Sequence, residues 1–400
     1  MMRIAFVIAI FLVSAFVSAG ESNWVGEANN AFGLELYARL ASKPGNLFIS
    51  PSSIETALAM TYAGARGNTA AEMAKVLHLP EGDKVHEDLG VFLKGLNAAT
   101  GPDGKPRAFE LSVANRLWGQ KGYAIVSAFL SLNKESYGAG LEELNFAESE
   151  AARVTINTWV EKQTKDRIKN LIPRGVLDAA TRLVLTNAIY FKGKWEAPFT
   201  KTATREAPFR ISDAEQVPCQ MMSAGGDHLY MENETLQALK LPYQGKELSM
   251  IILLPKTNDL ARLERNLTTA NLAAWIGSMT EPMVSVSFPR FKMTAAFMLK
   301  SDLQALGMKD AFVYPHADFT GIEPKKEFYV GEVLHKAFVE VNEEGTEAAA
   351  ATAVIGKTGG PPPKPKVFRA DHPFLFVIRH EQSGAILFLG RLTDPSKQEN

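Results

Sequence analysis

The sequence predicts an α+β fold in a single domain, and two observations support this. Helical spacing of apolar residues dominates the first half of the 400-residue chain, and strand patterns dominate the second half. The composition, 46% hydrophobic and 22% charged, is that of an average globular protein and allows a large core. No internal repeat and no second domain boundary is visible, so we expect one folded unit over residues 20–400.

Three segments in the first half show helix signals. Ser50-Pro51 opens a helix with a capping serine and a proline in the first turn. Thr69-Ala70-Ala71-Glu72 reads as a capping box, and Ala151 to Leu171 repeats the helical period. The apolar positions of the first and third segments are Ile54, Leu58 and Tyr62, and Val154, Trp159, Ile168 and Leu171.

Strand patterns follow in the second half. The near-continuous apolar runs Leu183–Phe191 and Leu248–Leu254 predict strands that are buried on both faces. Val284–Phe288 alternates between apolar and polar residues, which predicts a strand with one buried face. Phe374–Ile378 and Ala385–Leu389 flank a turn and predict a closing hairpin.

The first residues have the parts of a secretory signal peptide. Arg3 precedes the apolar run Ile4 to Val17, and Ser18-Ala19-Gly20 offers small residues for cleavage. At about 14 residues the run is shorter than the roughly 20 that a membrane-spanning helix needs. We predict that residues 1–19 are a signal peptide and that the protein is secreted, either extracellular or, in a bacterium, periplasmic.

Charge, cysteine content and missing motifs exclude several classes of function. With 43 basic and 44 acidic side chains the net charge is -1, so nothing favours binding to nucleic acid or to an anionic membrane. Cys219 is the only cysteine, so no disulfide can form within the chain. There is no HExxH or GxSxG motif and no metal-ligand spacing of histidines, so we expect no metal and no cofactor. Ala351–Thr358 fits a relaxed phosphate-loop pattern, but the following GGPPP sequence excludes the helix that such a site requires.

The segment between Phe338–Val341 and Val367-Phe368 is the most informative part of the chain. It spans about 25 residues without the pattern of a buried helix, and loops of this length are usually functional or disordered. With a period of two, one face carries only small or β-branched residues and the other carries both charges, so the segment could enter a sheet as a central strand. Such an insertion could gain on the order of 10 kcal/mol from ladder hydrogen bonds. By composition alone, a disordered alanine-rich linker is the alternative. The two faces are Thr346, Ala348, Ala350, Thr352, Val354 and Gly356, and Glu347, Ala349, Ala351, Ala353, Ile355 and Lys357.

Glu343 to Thr352 (EEGTEAAAAT) resembles the hinge of inhibitory serpins almost residue for residue. The resemblance implies a serpin fold with a large central β-sheet, two further sheets, about eight or nine helices and an exposed reactive-centre loop at about 343–366. Other segments resemble serpins in serpin order and together span nearly all of the mature chain. These segments are 46–54 (NLFISPSSI), 64–73 (GARGNTAAEM), 185–195 (LTNAIYFKGKW), 333–341 (VLHKAFVEV), 370–376 (ADHPFLF) and 387–391 (LFLGR).

The same resemblance implies roles for individual residues. Trp195 matches the tryptophan at the top of the main sheet, in the breach, where the hinge first enters. Glu343 marks the base of the loop, and Arg290 is its candidate partner. The shutter cluster, beneath the point where the main sheet parts, is matched by Ser50, Ser53, Asn187 and His335. The hinge itself is matched by Glu343, Glu344, Gly345, Thr346, Glu347, Ala348, Ala349, Ala350 and Ala351.

In mechanism, the resemblance implies a suicide inhibitor and not an enzyme. A serine or cysteine protease attacks the loop and forms an acyl-enzyme, and the cut loop then inserts as a β-strand and distorts the attached protease. The implied partner is the target protease in a covalent complex, and we expect the inhibitor to be a monomer. The alternative is a non-inhibitory serpin that acts as a carrier, storage protein or chaperone, although such members often carry bulky, charged or proline residues in the hinge.

The scissile bond has three candidate positions. Counting about 17 residues from Glu343, as in typical family members, places it between Gly359 and Gly360, which would suit elastase-like enzymes with a small primary pocket. Lys357-Thr358 would attract trypsin-like proteases, but its inserted strand would be two residues short. Thr358-Gly359 lies between them. The prolines that begin at Pro361 hinder many proteases and count somewhat against the glycine bond.

Overall fold

The computed structural model of the chain describes residues 24–82, 84–101, 104–346 and 364–397. Nine α-helices and sixteen β-strands form over these ranges, and none of these helices is long and apolar enough to cross a membrane. The helices are α1 (Trp24–Leu40), α2 (Pro51–Tyr62), α3 (Gly67–Val76), α4 (Val85–Asn97), α5 (Ser127–Tyr137), α6 (Ser149–Gln163), α7 (Leu260–Arg265), α8 (Thr269–Gly277) and α9 (Lys300–Leu306). The strands are β1 (Leu47–Ile49), β2 (Phe109–Gln120), β3 (Gly140–Leu144), β4 (Leu183–Lys194), β5 (Arg205–Arg210), β6 (Gln216–Asp227), β7 (Leu229–Glu232), β8 (Leu236–Pro242), β9 (Leu248–Pro255), β10 (Met283–Pro289), β11 (Phe291–Met298), β12 (Leu334–Val341), β13 (Gly345–Thr346), β14 (Lys366–Arg369), β15 (Phe374–His380) and β16 (Ile386–Leu392). The predicted signal peptide, residues 1–19, lies outside the described residues.

The helix predicted at Ser50-Pro51 is confirmed as α2. Ser50 Oγ accepts a hydrogen bond from the Ser53 N–H at 3.3 Å, which satisfies one of the free donors of the first turn. Pro51 is the first helical residue, where a missing N–H costs nothing. The predicted face is buried at Ile54 and Leu58, so α2 lies in the core beneath the sheets.

The capping box predicted at Thr69 and Glu72 is wrong. Helix α3 already begins at Gly67, and both side chains lie inside it. Glu72 Oε2 instead accepts hydrogen bonds from the N–H groups of Lys309 and Asp310, both at 2.7 Å. The Glu72 carboxylate therefore binds the segment after α9 and does not cap its own helix.

The third predicted helix is shorter than its pattern. Helix α6 ends at Gln163, because Lys165 and Asp166 adopt left-handed backbone angles, with φ of 51° and 62°. The predicted stripe residue Val154 is 48% exposed. Ile168 and Leu171 are buried but belong to the following loop, and the apolar residues of the buried helix face are Ala152, Ile156 and Val160.

All the predicted strands form. The closing hairpin is β15 paired antiparallel with β16, and β9 is buried along its whole length. β10 alternates as predicted and pairs with β6 and β14. The strand orders are β1-β16-β15-β9-β8-β7, β14-β10-β6-β5, β13-β4-β2-β3 and β11-β12.

The predicted α+β class is confirmed, but the large central sheet is divided in two. Within the described residues no ladder joins β4 to β12, and each belongs to a separate hydrogen-bonded group. The two parts nevertheless lie side by side, because Trp118 of β2 and Phe338 of β12 share one buried cluster with α6. The edges of β4 and β12 therefore border a gap in the centre of the sheet, which we call the central lane. β13 pairs with the C-terminal end of β4, at Gly193 and Lys194, and this is the end that we call the top of the lane.

Candidate functional site

The first hinge residues lie inside the fold. Glu343, Glu344 and Thr346 are only 5%, 8% and 2% exposed. In β13, Gly345 stands opposite Lys194 and Thr346 opposite Gly193, in an antiparallel pair with β4. The exposed loop predicted to begin at Glu343 begins later, because residues 343–346 are buried by backbone hydrogen bonds to the segment 193–199. At the other end, residue 366 already belongs to β14.

Trp195 is hydrogen-bonded to the start of the hinge through both its side chain and its backbone. Its side chain is 1% exposed, and its Nε1 donates to the carbonyl oxygen of Asn342 at 3.0 Å. Its backbone N–H donates to the carbonyl oxygen of Glu344 at 2.9 Å. Trp195 therefore contacts the backbone of Asn342 and Glu344, where the segment that resembles the hinge begins.

Tyr243 is a site residue that was not predicted from the sequence. Its ring stacks on Trp195 with centroids 4.6 Å apart and contacts Phe191 edge-on at 4.9 Å. Its hydroxyl shares a 2.9 Å hydrogen bond with Thr346 Oγ1, and burial raises the pKa of the phenol. No local pattern marks this tyrosine, because it follows β8 and meets Thr346 only through the tertiary fold.

Two buried carboxylates fix the base of the hinge. Glu343 accepts a hydrogen bond from Thr204 Oγ1 at 2.7 Å, and its carboxylate lies 3.6 Å from Arg290 Nε. The predicted pairing of Glu343 with Arg290 is therefore confirmed. Glu344 forms an ion pair with Lys201. Thr204 and Lys201 were not predicted from the sequence; both come from a short 3-10 helix and its C-cap between β4 and β5.

The backbone at the hinge requires glycine. Gly345 has φ of +145°, which side-chain-bearing residues rarely adopt, and a Cβ there would lie 2.1 Å from the Gly193 carbonyl oxygen. On the facing strand, a Cβ at Gly193 would lie 2.7 Å from the Phe191 ring and 2.8 Å from the Tyr243 ring. The close approach of β13 to β4 thus depends on Gly345, while Gly193 leaves room for the Phe191 and Tyr243 rings beside the pair.

Three of the four residues predicted for the shutter, Ser50, Ser53 and His335, lie together in the structure. The Ser50 N–H donates to His335 Nε2 at 3.1 Å, and Ser50 Oγ donates to the Leu387 carbonyl oxygen at 2.7 Å. Burial lowers the pKa of His335 to about 3, so the imidazole is neutral with Nε2 unprotonated. Ser53 is buried beside them, and Asn187 lies in β4 opposite Asn115, although its side chain is outside the described part of the structure.

Arg290 is among the residues that line a cavity of about 370 Å³, and a larger cavity of about 600 Å³ opens between the first residues of β4 and the first residues of β12. The larger cavity reaches the shutter, because Ser53, Thr186 and His335 are among its lining residues. The larger cavity therefore lies at the shutter end of the central lane, and none of residues 343–346 lines it.

The remaining predicted site residues lie outside the described residues. They are Glu347, Ala348, Ala349, Ala350 and Ala351 of the hinge, and Lys357, Thr358, Gly359 and Gly360 of the candidate scissile bonds. Over the described ranges, no three His, Cys, Asp or Glu side chains come together in a way that could hold a metal ion.

Comparison with known proteins adds a family match. A family model described as "Serpin (serine protease inhibitor)" matches residues 27–395. The human leukocyte elastase inhibitor is 43% identical over 387 residues, which cover 93% of this chain and 99% of that protein. An uncharacterized serpin-like protein of Thermococcus kodakarensis is 43% identical over 380 residues, covering 94% of this chain and 87% of its own length.

Solved structures show the same similarity. Uncleaved ovalbumin superimposes with a TM-score of 0.83 at 33% identity and covers 93% of this chain and 100% of its own. Cleaved Serpin 42Da gives a TM-score of 0.82 at 32% identity, covering 93% of this chain and 98% of its own.

Proposed function

The chain belongs to the serpin family and is a protease inhibitor rather than an enzyme, and from this premise we propose that it traps a serine protease as a covalent acyl-enzyme. The observation that carries the proposal is the buried pair between β13 and β4 at the top of the central lane. Gly345 and Thr346 of the hinge already pair with β4, and within the described residues no ladder joins β4 to β12, the two strands between which an inserted loop would lie.

In the proposed reaction the protease serine Oγ attacks the carbonyl carbon of the scissile bond. The C–N bond breaks, the new amino group leaves with the proton, and the loop remains attached to the protease as an ester. The freed loop then continues β13 downward between β4 and β12. The attached protease is carried to the far end of the sheet before water hydrolyses the ester.

The observed register supports the face assignment of the loop. Thr346 points inward, since its hydroxyl contacts buried Tyr243, so every second residue after it would also face the core. These inward positions run from Ala348 to Gly356 and are small or β-branched. Both charges of the segment, at Glu347 and Lys357, would face solvent.

The same register supports one of the scissile bonds. Continued along β4, the pairing of Thr346 with Gly193 brings Gly356 opposite Leu183, where β4 begins. A cut after Gly359 leaves three residues, about 10 Å of extended chain, between the inserted strand and the protease. A cut after Lys357 leaves one residue. Because a protease cleft holds several residues on each side of the bond, we propose Gly359-Gly360 and hence an elastase-like target.

The test is incubation with elastase-like, trypsin-like and subtilisin-like proteases, followed by denaturing gel electrophoresis. We expect a covalent complex with at least one of them, and mass spectrometry of the released fragment fixes the cut position. The matched control is Thr346→Arg, which places a charge at the inward hinge position and should convert the inhibitor into a substrate. Cleavage without a complex for every protease would contradict the proposal and favour a carrier, storage or chaperone role.

A second readout is the stability of the cut protein. We propose that the intact chain is metastable, so loop cleavage should raise its melting temperature by inserting a strand worth on the order of 10 kcal/mol in hydrogen bonds. Equal melting temperatures for the cut and intact forms would remove the basis of the trapping mechanism.

Secretion is part of the proposal and rests on residues 1–19 alone. Amino-terminal sequencing of protein exported by the native host should begin at or near Gly20. We further propose that the mature inhibitor is a monomer, which light scattering of the purified protein would measure.

A further inference from the structure

The hydrogen bond between Tyr243 and Thr346 joins two hydroxyls that are both removed from water. Thr346 is 2% exposed and Tyr243 is fully buried. The Tyr243 hydroxyl lies 2.9 Å from Thr346 Oγ1, and over the described residues each hydroxyl has the other as its hydrogen-bond partner. The bond therefore forms only when the hinge is in the lane.

The tyrosine is held rigidly for this contact. Its ring lies between Trp195, stacked at 4.6 Å with an interplanar angle of 17°, and Phe191, whose ring stands edge-on at 85°. Its backbone N–H donates to the Leu248 carbonyl oxygen at 3.0 Å. Because the ring and the backbone of Tyr243 are both held by these contacts, its hydroxyl has one fixed position in the lane. The residue of β13 that contacts it there is Thr346.

We propose that the Tyr243 hydroxyl is a positioning group that holds Thr346 as the first inserted residue of the hinge before the loop is cut. Its role is to set the starting register of insertion, with Thr346 opposite Gly193. The consequence for protease trapping rests on the proposed function, whereas the hinge position can be measured without any protease.

The energetics of the buried pair give the proposal a specific signature. Phenylalanine at 243 leaves the Thr346 hydroxyl unpaired when the hinge is inserted, but that hydroxyl can bond to water when the hinge is withdrawn. Valine at 346 leaves the Tyr243 hydroxyl unpaired in the same way. Each single change should shift the balance toward the withdrawn hinge by about tenfold, and the double change should restore it because no buried hydroxyl remains.

The first experiment measures hydrogen–deuterium exchange of the hinge peptide in the intact protein. Tyr243→Phe and Thr346→Val should each speed exchange of the hinge amides by about tenfold. The double variant should return to within about threefold of the wild type, and Thr346→Ser, which keeps a hydroxyl, should match the wild type. Singles that exchange like the wild type, or a double variant that exchanges as fast as the singles, would overturn the proposal.

The second experiment uses a protease that forms the covalent complex. The rate of the first encounter should be unchanged in Tyr243→Phe, since the altered atom is buried, while the number of inhibitor molecules consumed per trapped protease should rise severalfold. Tyr243→Phe/Thr346→Val should restore the wild-type ratio. A change in encounter rate with an unchanged ratio would contradict a positioning role. If no protease is trapped at all, the proposed function fails while the exchange result still decides the position of the hinge.

Discussion

Replacing Gly345 with alanine tests whether the hinge is built into the sheet as the structure places it. The φ of +145° at this residue costs a side-chain-bearing residue about 1–3 kcal/mol. In addition, the new Cβ would lie 2.1 Å from the Gly193 carbonyl oxygen, roughly 1 Å closer than such atoms approach. The backbone strain alone would destabilise the hinge. The collision of the new Cβ with the Gly193 carbonyl oxygen should in addition prevent residues 345–346 from pairing with β4.

Gly82 provides the matched control. Its φ is +122°, yet a Cβ there would meet nothing within 4 Å. Gly82→Ala therefore carries backbone strain without a collision and should cost about 1–2 kcal/mol in free energy of unfolding. Gly345→Ala should cost more than that, because it also breaks the contacts of Thr346 and of the two hinge carboxylates.

Urea unfolding and protease trapping together measure the effect. We expect a lower urea midpoint for Gly345→Ala than for Gly82→Ala, and predominantly substrate behaviour only for Gly345→Ala. Equal midpoints and equal trapping in the two variants would refute the inserted position of the hinge.

Substitutions at four further residues test other contacts of the fold. Because burial lowers the pKa of His335 to about 3, below the unfolded value of about 6.5, the unfolded chain alone takes up this proton between those pH values. The contribution of His335 to the free energy of unfolding is therefore fully present above about pH 6.5 and is lost as the pH drops toward 3. His335→Asn should flatten the slope of unfolding free energy against pH by up to about 1.4 kcal/mol per pH unit. Thr204→Val removes a donor to the buried Glu343 carboxylate and should lower the free energy of unfolding by about 1–3 kcal/mol in urea titration. Arg290→Ala breaks a pair whose arginine is 47% exposed and should cost less than about 1 kcal/mol, so a larger loss than for the threonine would contradict this ranking. Glu72→Ala should cost about 1 kcal/mol by thermal melting, and Glu72→Gln, which keeps an acceptor for the two backbone N–H groups, should recover most of it.

Local sequence patterns predicted helices and strands correctly where the burial of the element matched its pattern of apolar residues. β9 is buried on both faces, so its continuous apolar run was a reliable signal. The capping box at Thr69 and Glu72 and the length of α6 were wrong, because the carboxylate bonds another segment and left-handed residues end the helix at Gln163. In both failures a long-range or backbone requirement overrode a spacing that was locally sound.

The sequence by itself determined the α+β class, the family resemblance and the two-faced pattern of the loop, because periodicity and motif are properties of neighbouring residues. Only the tertiary structure decided that residues 343–346 are buried, that β4 and β12 flank a lane, and that Thr346 meets Tyr243 across 103 positions of chain. Contacts between residues so far apart depend on how strands are laid beside one another. The position of the Tyr243 hydroxyl depends on packing against Trp195, so the residues next to Tyr243 in the sequence do not predict it.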